Sequence, residues 1–205
     1  MITEIKNTQI LPREFYIRDD VTLIARDLLG KIILTYIEGV YTGGIITETE
    51  AYAGNNDRAC HANNGKRTAR TEVMYARGGV AYVYLCYGLH SMLNVVTNEE
   101  GKADAVLIRA IKPLWGLACI RKRRISQKKE NLLCSGPGAL AQALGIDKKM
   151  NGLPFAGPQI FIAEKWCTGG KSYLAVKPDK VIVSQRIGVA YAGEDALLPW
   201  RFIVG

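Results

Sequence analysis

The chain has no C-x-x-C pair. Its five cysteines, Cys60, Cys86, Cys119, Cys134 and Cys167, are odd in number and widely spaced. That argues against a fully paired disulfide framework and against a zinc site, whose ligands come at short intervals. No uninterrupted apolar segment of membrane length is present. The longest candidate, Gly78 to Val96, carries three tyrosines, His90, Ser91 and Asn94, with Gly88 near its middle, so it reads as two strands joined by a turn rather than a membrane span. Residues Met1 to Lys6 include Glu4 and no apolar run of the export-signal kind. Repeats, linkers and low-complexity stretches are also missing. These absences point to a reducing, cytoplasmic setting, nucleoid-associated if the source is prokaryotic.

Acidic residues are the scarcer charge, 19 against 27 Lys and Arg, giving a net charge of +8 and a pI near 9.3. Such an excess favours an anionic partner, because attraction to phosphate is long-ranged and independent of sequence. The densest basic cluster is Arg121, Lys122, Arg123 and Arg124, followed by Lys128 and Lys129, in a helix expected to start near Pro113. Two readings stand for it, a solvated helix face or a contact with nucleic acid.

With 205 residues and 48% hydrophobic content the chain buries a real core, most simply as one domain over residues 1–205. Asp19 or Asp20 caps a helix through Leu23, Ile24, Leu28 and Leu29 that Gly30 stops. Strands are expected over Lys31 to Ile37, Gly43 to Glu50, the pair within Val80 to Thr97, and Asp104 to Ile111. Asn55 to Thr71, polar and rich in Gly and Asn, reads as a long loop. Ser135-Gly136-Pro137-Gly138 opens a short helix that Gly145 ends, and Gln159 to Glu164 and Lys180 to Tyr191 read as closing strands. Because strand mostly follows strand through short turns, the class is α+β, an antiparallel sheet flanked by helices.

The most informative stretch is Glu48-Thr49-Glu50-Ala51-Tyr52, at the end of an apolar run. If the strand persists, alternation puts Glu48, Glu50 and Tyr52 on one face. Two acids beside an aromatic ring suit a metal, acid–base chemistry or ordinary surface salt bridges. His61 beside Cys60 raises metal again, but no further ligand has the right spacing.

That stretch, with His61 nine residues after Tyr52, then Tyr82-Val83-Tyr84-Leu85-Cys86-Tyr87-Gly88, Asn94 and Leu107-Ile108-Arg109-Ala110, resembles the alkyladenine (3-methyladenine) DNA glycosylase family. Gly136-Pro137-Gly138-Ala139-Leu140 and Arg186-Ile187-Gly188-Val189-Ala190-Tyr191-Ala192-Gly193 continue the likeness, which spans about Leu23 to Phe202. The resemblance implies a curved antiparallel sheet with a protruding hairpin. It also implies a monofunctional base-excision glycosylase, working as a monomer on double-stranded DNA that contains alkylated or deaminated purines, without metal, cofactor or strand cleavage. Such an enzyme flips the damaged nucleotide out of the duplex into a pocket.

By the same resemblance Glu50 is the carboxylate that activates water, and Arg109 helps hold that water. A carboxylate there also faces the positive charge developing on an oxocarbenium-like sugar, and an adjacent arginine favours the charged carboxylate. Tyr52, His61 and Tyr84 match the walls that hold the flipped base, where a cationic alkylated purine stacks well on π faces. Asn94 matches a residue that excludes guanine by a clash with its amino group. Tyr87 matches the wedge that fills the vacated stack, and Glu48 reads as structural. The chain departs from the family pattern at Ala69, where a proline is common, and in the longer turn from Asn98 to Asp104. No aromatic follows the wedge in Leu89-His90-Ser91. Two rival classes are a metal-dependent nuclease with Glu48 and Glu50 as ligands, and a non-catalytic nucleic-acid-binding module.

Overall fold

The β-branched and aromatic residues between Ile32 and Tyr52 form the centre of the molecule, in a computed structural model that describes residues 7–125 and 129–205. The readings for Met1 to Lys6 and for Lys128 lie outside the described residues. Among the described residues ten strands form one antiparallel sheet: β1 (Gln9–Ile10), β2 (Ile32–Ile37), β3 (Val40–Tyr52), β4 (Ala81–Cys86), β5 (His90–Thr97), β6 (Asp104–Trp115), β7 (Ile160–Thr168), β8 (Lys171–Leu174), β9 (Val181–Ser184) and β10 (Arg201–Val204). Three α-helices accompany them, α1 (Val21–Asp27), α2 (Leu117–Arg123) and α3 (Pro137–Leu144). The main order across the sheet is β1-β7-β2-β3-β6-β5-β4; β8 adds to β7, and β10 joins β3 to β9.

β3 organises this order because each edge is fully used. Its first half pairs with β2, from Val40↔Ile37 to Ile45↔Ile32, and its last residues pair with β10, from Glu48↔Ile203 to Glu50↔Arg201. β6 runs along the other edge from Gly43↔Trp115 to Tyr52↔Ala105. Glycines at 43 and 44 permit this crowding. A Cβ on Gly43 would stand 2.1 Å from the Ile33 carbonyl oxygen, and one on Gly44 2.0 Å from that of Lys112. The β3–β6 register shifts between these glycines and again on both sides of Glu48. Bulges of this kind bend a strand and re-aim its side chains, which curls the sheet and turns the end of β3 toward the site described below.

The helices cover the concave apolar face. Asp20 caps α1, its Oδ1 accepting from the backbone N–H of Thr22 at 2.8 Å and of Leu23 at 3.3 Å, a contribution typically of about 1 kcal/mol. Ile24, Ala25 and Leu28 of that turn pack with Leu140, Ala141 and Leu144 of α3 and with Val95, Val106 and Ile108 of the sheet. Pro137 opens α3 and Gly145, at φ 69°, closes it, as the sequence indicated. The hairpin of β4 and β5 projects beyond the sheet, with Tyr87 91% and Leu89 79% exposed at its tip. None of the described helices is long and apolar enough to cross a membrane.

Several expected elements differ. The helix placed near Pro113 begins only at Leu117; β6 continues through Pro113, which sits opposite Gly44. Pairing with β5 ends at Leu107, so beyond it one edge of β6 carries no strand partner of that kind, and an edge position tolerates a residue without an N–H. The closing strand expected over Lys180 to Tyr191 stops at Ser184, and the chain turns into a 3-10 segment, Ala190–Leu197. Two ion-pairing contacts made by Arg186, described below, pull it off the sheet. β1, β8 and β10 are too short to show a period, and the sequence reading did not include them. The basic cluster is largely engaged within the fold. Arg123 donates to Thr42 Oγ1 at 3.1 Å and the Ala143 carbonyl at 3.2 Å, and Arg124 to the Leu133 carbonyl at 3.1 Å and Gln142 Oε1 at 2.5 Å. Arg121 pairs with Glu130 at 2.9 Å. These bonds fasten α2 to α3 and to the first half of β3, away from Glu50.

The Gly44→Ala variant tests the β3–β6 seam. Forcing a Cβ against the Lys112 carbonyl should cost about 1–3 kcal/mol, read as a fall in melting temperature of roughly 2–12 °C. An unchanged melting temperature would show that the two strands separate without penalty.

Candidate active site

The end of β3 brings Glu48, Glu50 and Tyr52 to one face, as alternation requires, and Arg109 on the neighbouring β6 reaches both acids. Arg109 Nε donates to Glu48 Oε1 at 2.9 Å, and its Nη1 lies 3.3 Å from Glu50 Oε2. Arg201, from β10 on the other edge, also donates through Nε to Glu48 Oε1. Glu48 fixes two arginines, and through Arg109 it sets the charge beside Glu50.

Glu50 is 0% exposed. Burying a carboxylate is costly unless donors replace the lost water. Here Oε1 accepts from the backbone N–H of Ile187 at 2.8 Å and Oε2 from the Tyr52 hydroxyl at 2.7 Å. Arg109 adds an ion pair beside Oε2, and Oε1, with one donor, keeps a second acceptor position open. Burial and then the Glu50 charge raise the Tyr52 pKa, so Tyr52 stays a phenol that donates.

In front of these groups lies a cavity of about 370 Å³ whose lining includes Tyr52, His61, Tyr82, Tyr84, Asn94 and Arg109. All of the proposed wall residues converge there. His61 meets Tyr84 edge to face, 4.7 Å between centroids at 83°, and Tyr82 lies 5.3 Å from Tyr84. His61 Nδ1 is 2.9 Å from the Tyr82 hydroxyl. Asn94, opposite Tyr82 in the hairpin, donates Nδ2 to the Tyr82 carbonyl at 3.1 Å, which fixes its amide at the cavity wall. Burial pushes the Tyr82 phenol up to about 12, and also raises Tyr84. The tyrosine walls are therefore uncharged, while Arg70 and Arg109 bring positive charge to the same lining.

Tyr87 and Gly88 form the hairpin turn, with φ of 51° and 71°, closed by the Leu89 N–H donating to the Cys86 carbonyl at 3.1 Å. Two successive positive φ values mark the type I′ geometry that suits a twisted hairpin. Glycine meets that demand at no cost; a tyrosine does not, and such a conformation typically costs about 1–3 kcal/mol. The cost is accepted at a position where the ring points into solvent beside the cavity mouth.

Sequence reasoning missed the support behind this cavity. Arg186 and Asp57 form a fully buried pair, Nη1 to Oδ2 at 2.6 Å and Nη2 to Oδ1 at 2.8 Å, and Arg186 also donates to the carbonyls of Ala51 and Asp195, each at 2.9 Å. Its guanidinium lies 4.8 Å from the Tyr52 ring centroid. Burial opposes this charge, and the Asp57 contacts outweigh burial, so the Arg186 pKa is raised. Arg186 sits in a quoted motif but had no assigned role, and Asp57 lies in a polar loop that gave no signal. Tyr82 was recoverable, since alternation places it on the face of Tyr84. Among the described residues, no group of three or more His, Cys, Asp or Glu is placed to hold a metal ion.

The model of the methylpurine-DNA glycosylase family matches residues 14–205. A protein of Chlamydia abortus is 44% identical over 196 residues, covering 95% of this chain and 98% of its own. One of Desulfitobacterium hafniense is 41% identical, covering 94% and 93%, and one of Methanocella arvoryzae 43% identical, covering 94% and 91%. Each carries the provisional name 3-methyladenine DNA glycosylase.

Asp57→Asn leaves the Arg186 charge buried without its counter-charge, so it should destabilise the fold by about 3–5 kcal/mol. Chemical denaturation measures this. A loss under about 1 kcal/mol would mean that the segment following β9 is held by other contacts.

Proposed function

The chain belongs to the methylpurine-DNA glycosylase family, and from that premise we propose that it flips an alkylated or deaminated purine out of duplex DNA and hydrolyses its N-glycosidic bond with a water activated by Glu50. The observation that carries the reading is a fully buried carboxylate, held by Arg109, directly behind a cavity walled by tyrosines.

The open acceptor position on Oε1 is assigned to the attacking water. Its oxygen bonds to C1′ as the C1′–N bond breaks, its proton passes to Glu50, and the bonding pair leaves with the purine. When alkylation has made the purine cationic, that pair neutralises it. Arg109 orients the carboxylate, and the negative charge faces the oxocarbenium-like sugar. Tyr52, His61 and Tyr84 hold the flipped base, and a cationic base gains from their π faces. Asn94, fixed by the Tyr82 carbonyl, excludes guanine by contact with its amino group. Tyr87 fills the gap in the stack, an interaction of about 1–3 kcal/mol by comparison with base–aromatic stacking elsewhere. The enzyme acts as a monomer.

The nuclease alternative needs Glu48 and Glu50 free for a cation, but Arg109 and Arg201 face them. A binding module leaves a buried ionic network behind an aromatic cavity without use. The deciding experiment incubates the protein, in chelator, with a duplex bearing one modified purine. Free base from an intact strand is expected; strand nicking that chelator abolishes would favour the nuclease.

Glu50→Gln should keep affinity for that duplex while slowing single-turnover base release by about 10²–10⁴, roughly 3–5 kcal/mol of transition-state stabilisation. A rate within a few-fold of the parent would sink the assignment. Tyr87→Ala should slow base release most for a lesion in paired duplex and least in a mismatch or single strand, where little stacking is broken. A uniform loss with a lower melting temperature would make Tyr87 a packing residue.

A further inference from the structure

One cationic side chain at the cavity has no part in the chemistry above. Arg70, in the loop that also carries His61, lines both the base cavity and an adjoining basic recess. Its Nη2 is 3.1 Å from His61 Nε2, and its guanidinium carbon lies 4.6 Å from the Tyr84 ring centroid. An arginine only donates. Nε2 must therefore present a lone pair, the imidazole proton sits on Nδ1, and that N–H donates to the Tyr82 hydroxyl 2.9 Å away. A single guanidinium thus fixes the tautomer of one wall and stacks on another.

Resting on the glycosylase reading, we propose that Arg70 is a positioning residue that holds His61 as a neutral imidazole protonated on Nδ1, so that this ring adds no charge of its own beside the flipped base. A protonated His61 would place a second cation against an alkylated purine and forfeit the attraction that selects it. The groups facing His61 agree with this. Arg58, Lys66 and Arg70 from its own loop are cationic, while Tyr82 and Tyr84 from β4 and Tyr191 from the segment Ala190–Leu197 are phenols raised by burial. Cys60, pushed up to about 12, stays a thiol. Among these facing groups none is an anion that would favour imidazolium. Burial first, then Arg70 and Lys66, bring His61 down to about 4.

The test begins on the unaltered protein, which contains only two histidines, so that exposed His90 supplies the comparison signal. Nitrogen NMR of His61 should show a protonated Nδ1 and a bare Nε2 at neutral pH; the opposite tautomer overturns the proposal. In Arg70→Gln the His61 midpoint should rise from about 4 toward the ordinary value of roughly 6.5, short of it because burial remains. Arg70→Lys, which keeps the donor charge, should stay near the parent. The sign follows from linkage: a midpoint raised in the variant lets His61 gain its charge as pH falls through 6. Release of 3-methyladenine, cationic while attached to its sugar, at pH about 5 should then drop about three- to fivefold relative to the parent, with little change for neutral hypoxanthine. An unchanged midpoint in Arg70→Gln overturns the proposal. Because the tautomer and midpoint are read without turnover, a failure of the glycosylase reading shows separately, as absence of base release by the parent protein.

Discussion

A carboxylate taken wholly out of water has to be compensated, and Glu50 imposes that requirement on everything around it. The N–H of Ile187 and the Tyr52 hydroxyl each supply a donor, and Arg109 supplies an opposite charge. Arg109 is held on its other side by Glu48, and Arg201 shares Glu48 from the opposite edge of β3. Two acids and two arginines therefore span β6, β3 and β10 as one unit. Removing a partner would leave a buried charge, which is far more costly than the pair is stabilising. The bulges around Glu48 aim these groups at a common point, and the paired glycines let β3 be gripped on both edges tightly enough to keep the aim.

The cavity follows a similar logic with aromatic rings. Tyr52, Tyr82 and Tyr84 keep their protons because burial disfavours phenolate, and burial with Arg70 lowers the pKa of His61. Arginines support two of the rings: Arg186 stands behind Tyr52, and Arg70, itself part of the lining, stacks on Tyr84. The tyrosine faces of the cavity offer flat π surfaces to a guest. The hairpin adds a strained tyrosine at its tip, the one local violation of backbone preference that the reading of function explains.

The residues that reached the right place from sequence alone were those whose spacing is their geometry. Glu48, Glu50 and Tyr52 share a face because strands alternate; Asp20 caps a helix; Gly145 ends one; Tyr87 and Gly88 form a turn between two apolar runs. The resemblance to a known family named Glu50, Arg109, Tyr52, His61, Tyr84 and Asn94, and the fold gathers all six around one cavity and the carboxylate behind it. The readings that failed were local ones overruled by distant partners. Pro113 suggested a helix start, but pairing with Gly44 kept it in a strand. For the basic run from Arg121 to Arg124 the sequence left a solvated face and a nucleic-acid contact both open; in the fold Thr42, Ala143, Leu133 and Gln142 accept from two of its arginines, Arg123 and Arg124.

The sequence by itself determined the strand-rich α+β character, the hairpin, the acid–tyrosine face and the basic balance, because alternation, caps, turn residues and net charge are set by neighbours along the chain. Only the tertiary structure decided that Glu50 is fully buried, that Glu48 serves Arg109 and Arg201, and that Asp57 pairs with Arg186. It alone also set Arg70 between His61 and Tyr84. Those contacts join residues far apart in the chain or loops of no regular period, and their energies depend on water being excluded, which no local pattern records.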